Sequence, residues 1–240
     1  MCAQSQMLFS SAREDELPMT MQVAMIGSDG IVLASDLKWV TNISTYPPRR
    51  THHFESKIRI HGGIAISCAG EMLDSLRLAD EIISHWHEGE GNALRCVRAC
   101  ENPPLQYIGR ECILAVASSR RLIHLQEILM EDGDSGKRWQ FLVNRAQRVQ
   151  TAGDEGNDAR FWLRYYDTSL SVEELKGLAA HLVVEAQNFN NAMIGGLEVV
   201  VSNDAAFRQL SEEECQRLEA DARKNATEVG GLILRPSKHE

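Results

Sequence analysis

The chain has 240 residues, 43% hydrophobic and 25% charged, which is enough apolar material for a sizeable core and too much for a disordered chain. Its formal charge of -9 and isoelectric point near 5.4, with no block of Lys or Arg, argue against nucleic acid or an anionic membrane as partner. No apolar run reaches the roughly 18 residues that cross a bilayer.

Residues 1–19 are polar and acidic, without the basic and apolar regions of a secretory signal, so an extension or propeptide on a cytoplasmic protein is expected. Residues 21–26 read as a buried strand, Asp29-Gly30 as a tight turn and residues 31–34 as a second buried strand, together a β-hairpin. Residues 42–55, with Pro47-Pro48 and His52-His53, read as a loop. A second hairpin follows from residues 57–60, Gly62-Gly63 and residues 64–69.

Helical spacing of Met72, Leu76, Ala79, Ile83 and Trp86 predicts a helix from Gly70 to about residue 87, and a second is expected over 92–101. Strands are expected over 112–117, 121–128, 138–143 and 145–152, with a charged turn over 131–137. Two helices come next, over 157–166 and from Ser171 to about 188, the latter opened by the capping pair Ser171 and Glu174. Gly195-Gly196 leads into an apolar strand over 197–201, and Ser211 with Glu214 caps a last helix over 212–223.

Strands grouped in hairpins and helices grouped in pairs predict an α+β fold: two antiparallel sheets face to face, each covered by helices, in one domain over residues 20–235. The cysteines Cys2, Cys68, Cys96, Cys100, Cys112 and Cys215 are scattered and read as reduced thiols. Cys96 and Cys100 share a helical spacing but have no His or acid beside them, and His52-His53 lack a third ligand, so no metal site and no cofactor are expected.

Thr20, the strand–turn–strand and then Asp36 at its end resemble the opening of proteasome β-type subunits and of bacterial proteasome-like subunits, members of the N-terminal-nucleophile hydrolase superfamily. Ser56-Lys57-Ile58-Arg59-Ile60, Ala69-Gly70 before the first helix and Gly195-Gly196 before an apolar strand continue the likeness over about residues 20–225. The resemblance implies a four-layer αββα sandwich and a threonine-type endopeptidase: Thr20 as nucleophile, Lys57 and Asp36 beside it, and the Gly70 N–H as oxyanion donor. It also implies self-association into rings enclosing the sites, unfolded polypeptides as substrates, and an ATPase unfoldase as partner.

The chemistry explains the residue types. A Thr hydroxyl needs a neighbouring base, and when the Thr is the first residue its α-amine, with a pKa of about 8, can serve. Here Met19 precedes Thr20, where the family has a Gly that is cleaved. Two readings stand: the Thr is exposed by a start at Met19 and removal of the methionine, or the extension stays and the subunit is catalytically silent. The family's supporting polar residues are also replaced, with Asp154 inside Gly153-Asp154-Glu155-Gly156, and with Asn191 and Ile194 before Gly195. Another N-terminal-nucleophile amidohydrolase acting on a small amide is the remaining alternative.

Overall fold

The computed structural model describes residues 20–43, 49–101, 109–131, 137–146, 148–153, 157–203 and 205–233. The expected extension over residues 1–19, the charged turn at 132–136 and Asp154 lie outside the described residues.

Two five-stranded antiparallel sheets form the centre of the fold. The first contains β1 (Met21–Ile26), β2 (Ile31–Ser35), β10 (Val149–Gly153), β11 (Glu198–Ser202) and β12 (Phe207–Gln209), in the order β10-β1-β2-β11-β12. The second contains β5 (Ile58–His61), β6 (Ile64–Ala69), β7 (Glu111–Val116), β8 (Arg121–Glu131) and β9 (Lys137–Ala146), in sequence order. Between β2 and β5 the chain makes a separate hairpin of β3 (Lys38–Ile43) and β4 (Arg49–Phe54).

The central strands are buried on both faces, and the period of two divides their side chains between two layers. Met21, Val23 and Met25 of β1 and Val32 and Ala34 of β2 pack under α3 (Val172–Phe189). Ala24, Ile26, Ile31 and Leu33 face Ala65, Ile113, Ala115 and Leu122 of the other sheet. On the outer face of the second sheet, Ile66, Leu114 and Ile123 pack under α1 (Met72–His85) and α2 (Glu90–Arg95). Each fully buried Val, Leu or Ile side chain contributes about 1.5–3 kcal/mol. Three cores therefore separate four layers, and the expected αββα sandwich is the architecture observed.

Helix α3 is buried through most of its second half because it lies between the first sheet and α4 (Glu212–Ile233), enclosing Leu175, Ala179, Leu182 and Val183. Its start is a complete capping box: Ser171 Oγ accepts from Glu174 N, and Ser171 N donates to the Glu174 carboxylate.

Several boundaries differ from the expectations. Residues 42–55 are not all loop: Arg49–Phe54 is β4, which pairs only with β3 and whose residues 51–54 are exposed. Helix α1 starts at Met72 with Glu71 as its N-cap, not at Gly70, and ends at His85 before a 3-10 turn. Helix α2 stops at Arg95, so Cys96 is its C-cap and Cys100 lies beyond it, and the two thiols do not share a helix. The segment Asp158–Tyr165 is 3-10, not α-helical. The short strand β12 follows β11, and α4 runs ten residues past Arg223.

Candidate active site

The antiparallel order brings one end of many strands together. β1, β5, β7 and β11 begin, and β2, β6 and β10 end, at the same edge of the sandwich, as the pairings Gln22–Ser35, Glu198–Ser35, Met21–Gly153, Ile58–Ser67 and Ala69–Glu111 require. Side chains at those strand ends meet between the sheets. Gln22 bridges them: its amide donates to the Cys68 carbonyl, and its amide oxygen accepts from Ser67 Oγ at 2.9 Å.

Thr20, Asp36 and Lys57 converge there. Lys57 Nζ lies 2.7 Å from Thr20 Oγ1 and 2.9 and 3.0 Å from the two Asp36 oxygens. Lys57 is the largest fully buried side chain among the described residues, at 0% exposure, and Thr20 is 6% exposed. Its ammonium also lies over the Trp39 ring, 5.0 Å from the centroid.

Asp36 is fixed on every side. It accepts from Met21 N at 3.0 Å and from Lys38 N at 3.0 Å, while its own N–H donates to Met21 O. The carboxylate therefore ties the start of β1 to the end of β2 as well as holding Lys57. Burial pushes the Asp36 carboxyl above its ordinary value and the Lys57 ammonium below its own, against the attraction between them. An amine whose charged form is disfavoured, at hydrogen-bond distance from a hydroxyl, can take that hydroxyl's proton.

Gly70 carries φ +111 between the end of β6 and the Glu71 cap. A Cβ there would lie 3.1 Å from Gly109 O and from Arg110 Cα, a tight approach at a backbone conformation that already favours glycine. Asn191 is exposed and its carbonyl accepts from Lys38 Nζ at 3.0 Å. Ile194, 1% exposed, belongs to the apolar core beneath α3.

Three buried polar groups beside this cluster have no counterpart among the residues singled out from sequence. Glu198, 2% exposed, accepts from the Lys57 backbone N–H at 2.6 Å and from Ser56 Oγ at 2.7 Å, and burial pushes its carboxyl up to about 7. Glu111 and His124, each 7% exposed, form a 2.6 Å contact, and Glu111 also accepts from Gly153 N at 2.7 Å. The signal was a charged or imidazole residue inside or at the edge of a strand otherwise built for burial: Glu198 before Val199-Val200-Val201, Glu111 before the apolar run of β7, His124 within β8. Among the described residues, no group of three or more His, Cys, Asp or Glu is arranged to hold a metal ion.

The chain is similar to solved structures of Anbu proteins. Against Anbu (ancestral beta-subunit) from Yersinia bercovieri the TM-score is 0.60 at 10% identity, covering 92% of this chain and 99% of that one. Against Anbu from Hyphomicrobium sp. strain MC1 it is 0.60 at 13%, covering 90% and 98%. The chain has an Anbu-like fold. The helical assembly of the Anbu complex from Pseudomonas aeruginosa gives 0.59 at 13%, covering 92% and 100%.

No protein-family profile matches the chain, and no curated protein sequence does. The Anbu neighbours share the N-terminal-nucleophile-hydrolase-like sandwich but form a family distinct from proteasome β-type subunits, which corrects the resemblance drawn from sequence. The reason is physical. Buried hairpin strands, and glycines where the backbone takes a positive φ beside another segment, as at Gly70 and Gly153, are set by packing two sheets face to face. Those motifs report the Anbu-like fold without separating the families that use it.

Proposed function

We propose that the chain is an amidohydrolase with a threonine nucleophile, acting on peptide bonds: Thr20 attacks, Lys57 takes its proton and Asp36 holds Lys57. The observation that carries this reading is the 2.7 Å contact between Thr20 Oγ1 and a Lys57 side chain buried completely against Asp36. A lysine so enclosed is costly to keep unless its proton is used or its position matters.

In the neutral amine form that burial favours, Lys57 Nζ takes the Thr20 Oγ–H proton as Oγ bonds to the carbonyl carbon, and the ammonium so formed is stabilised by Asp36. Collapse of the tetrahedral intermediate breaks the C–N bond, with the proton returned to the departing amine. Water then hydrolyses the acyl-threonine ester. The Gly70 N–H is proposed as an oxyanion donor. Cleavage ahead of Thr20 would add a free α-amine beside the hydroxyl. Self-association is part of the proposal, by analogy with the helical assembly of the Pseudomonas aeruginosa Anbu complex.

The competing reading, an assembly subunit without catalysis, draws on Ile194, an apolar side chain buried in the core under α3 at a position where the resemblance implies a polar one. Intact mass and labelling with a Thr-directed β-lactone separate the two. Loss of residues 1–19 and a label on Thr20 that T20A abolishes support the nucleophile. An uncleaved, unlabelled chain supports the silent subunit. Hydrolysis of a small acyl amide without hydrolysis of casein would narrow the substrate to small amides.

A further inference from the structure

We propose that Glu111 and His124 are positioning residues for Thr20, acting through the backbone of Gly153; as a statement about reactivity this rests on the nucleophile reading above. Thr20 opens β1, and β1 has two neighbours. On the β2 side its start is held by Asp36, which accepts from Met21 N. On the β10 side the last paired rung is Met21 with Gly153.

Gly153 abuts Thr20 directly. It has φ +93, and a Cβ on it would lie 2.0 Å from Thr20 O and 3.2 Å from Thr20 Cβ. Wherever Gly153 moves, Thr20 must move with it. Gly153 N donates to Glu111 Oε2 at 2.7 Å, so the end of β10 in the first sheet is tied to the start of β7 in the second. The other Glu111 oxygen is 2.6 Å from His124 Nε2. In the β7–β8 register His124 lies opposite Ile113, two residues along from Glu111, which sets both side chains on the face toward the first sheet.

The order of contacts is thus His124, Glu111, Gly153, Thr20, crossing from one sheet to the other. Both polar side chains are nearly inaccessible, so solvent cannot replace either partner without opening the sandwich. Asp36 and Glu111 hold the nucleophile's strand from opposite sides. A displacement on the scale of 1 Å is enough to cost on the order of a hundredfold in rate at such a centre.

The test compares wild type, E111Q and E111A as full chains. Glutamine keeps an acceptor for Gly153 N and a partner for His124; alanine removes both. The readouts are the rate constant for β-lactone labelling of Thr20, split into binding and inactivation, at a temperature where every variant is folded, and the Thr20–Lys57 distance in crystals. E111A is expected to lose about tenfold or more in the inactivation step with reagent binding unchanged, and E111Q to stay within about threefold of wild type. In E111A the 2.7 Å contact is expected to open beyond roughly 3.5 Å.

E111A reacting at the wild-type rate with the contact intact overturns the proposal, as do equal losses in E111Q and E111A, because a bare charge requirement would then explain them. If E111A does not fold, H124A takes its place, and a wild-type rate and contact distance in H124A overturn the proposal. If wild type itself is not labelled, the nucleophile reading fails, and the Thr20–Lys57 distance alone decides whether Glu111 positions Thr20.

Discussion

Glu198, on the first sheet, accepts a 2.6 Å hydrogen bond from the backbone N–H of Lys57, the residue before β5 of the second, while the Lys57 side chain reaches back to Asp36 at the end of β2. Each sheet thus holds the other at the end where Thr20 sits. The arrangement makes the cluster sensitive to the charge on a single buried acid.

Glu198 gives the first prediction. Its carboxyl rises from an ordinary 4.5 to about 7 in the folded chain because burial disfavours the charge. Between those values the folded chain keeps a proton that the unfolded chain has lost, so stability falls as pH rises from 4.5 to 7 and levels off above. The drop amounts to about 3 kcal/mol. E198Q retains an acceptor for Lys57 N and removes the charge, so its unfolding free energy is expected to lose that slope and to exceed wild type above pH 7. Urea titrations across this range check it, and a slope unchanged in E198Q would refute the assignment.

Lys57 and Asp36 are coupled by a pair with no solvent access. K57M leaves the Asp36 carboxyl buried without its cation and is expected to cost about 3–5 kcal/mol. D36N/K57M, which removes both charges but keeps an acceptor for only one of the Met21 and Lys38 amides, since these bind different Asp36 oxygens, is expected to recover part of that loss while remaining unreactive toward β-lactone. A double-mutant cycle in urea measures the coupling; additive costs would mean that the pair is not coupled.

Gly153 tolerates no side chain. Its φ of +93, and the 2.0 Å that would separate an added Cβ from Thr20 O, predict that G153A loses about 2 kcal/mol or more, against the few tenths usual at an open surface site. Thermal unfolding gives the magnitude, and a variant within about 0.5 kcal/mol of wild type would contradict the close approach.

The thiols differ by burial. Cys68 and Cys112 face each other across β6 and β7 with Sγ atoms 3.6 Å apart and no exposure. Their mutual hydrogen bond and burial push the Cys112 thiol well up. Both are expected to stay unmodified by a water-soluble disulfide reagent until the chain unfolds, whereas Cys96 and Cys100, half-buried, react in the native state. Mass mapping after timed exposure distinguishes them.

Sequence by itself determined the elements whose cause is local. The short continuous apolar runs of β1, β2, β6 and β7, buried on both faces, and the capping boxes at Ser171 and Ser211 are written in neighbouring residues, and so the sandwich was legible. Where the signal was ambiguous, boundaries moved: β4 reads as loop because its residues pair only with β3 and residues 51–54 are exposed, and α4 continues past Arg223 through the weak helix formers Asn225, Thr227 and Gly230-Gly231.

Tertiary structure alone decided which polar residues are buried together. Thr20, Asp36 and Lys57 were singled out through resemblance, and nothing in their own neighbourhoods fixes a 2.7 Å contact. Glu198, Glu111 and His124 read as ordinary strand residues, because a carboxylate or imidazole signals burial only through partners many positions away: Lys57 for Glu198, Gly153 for Glu111. Buried polar groups must find partners wherever the fold brings them, and chain folding, not sequence spacing, sets who those partners are.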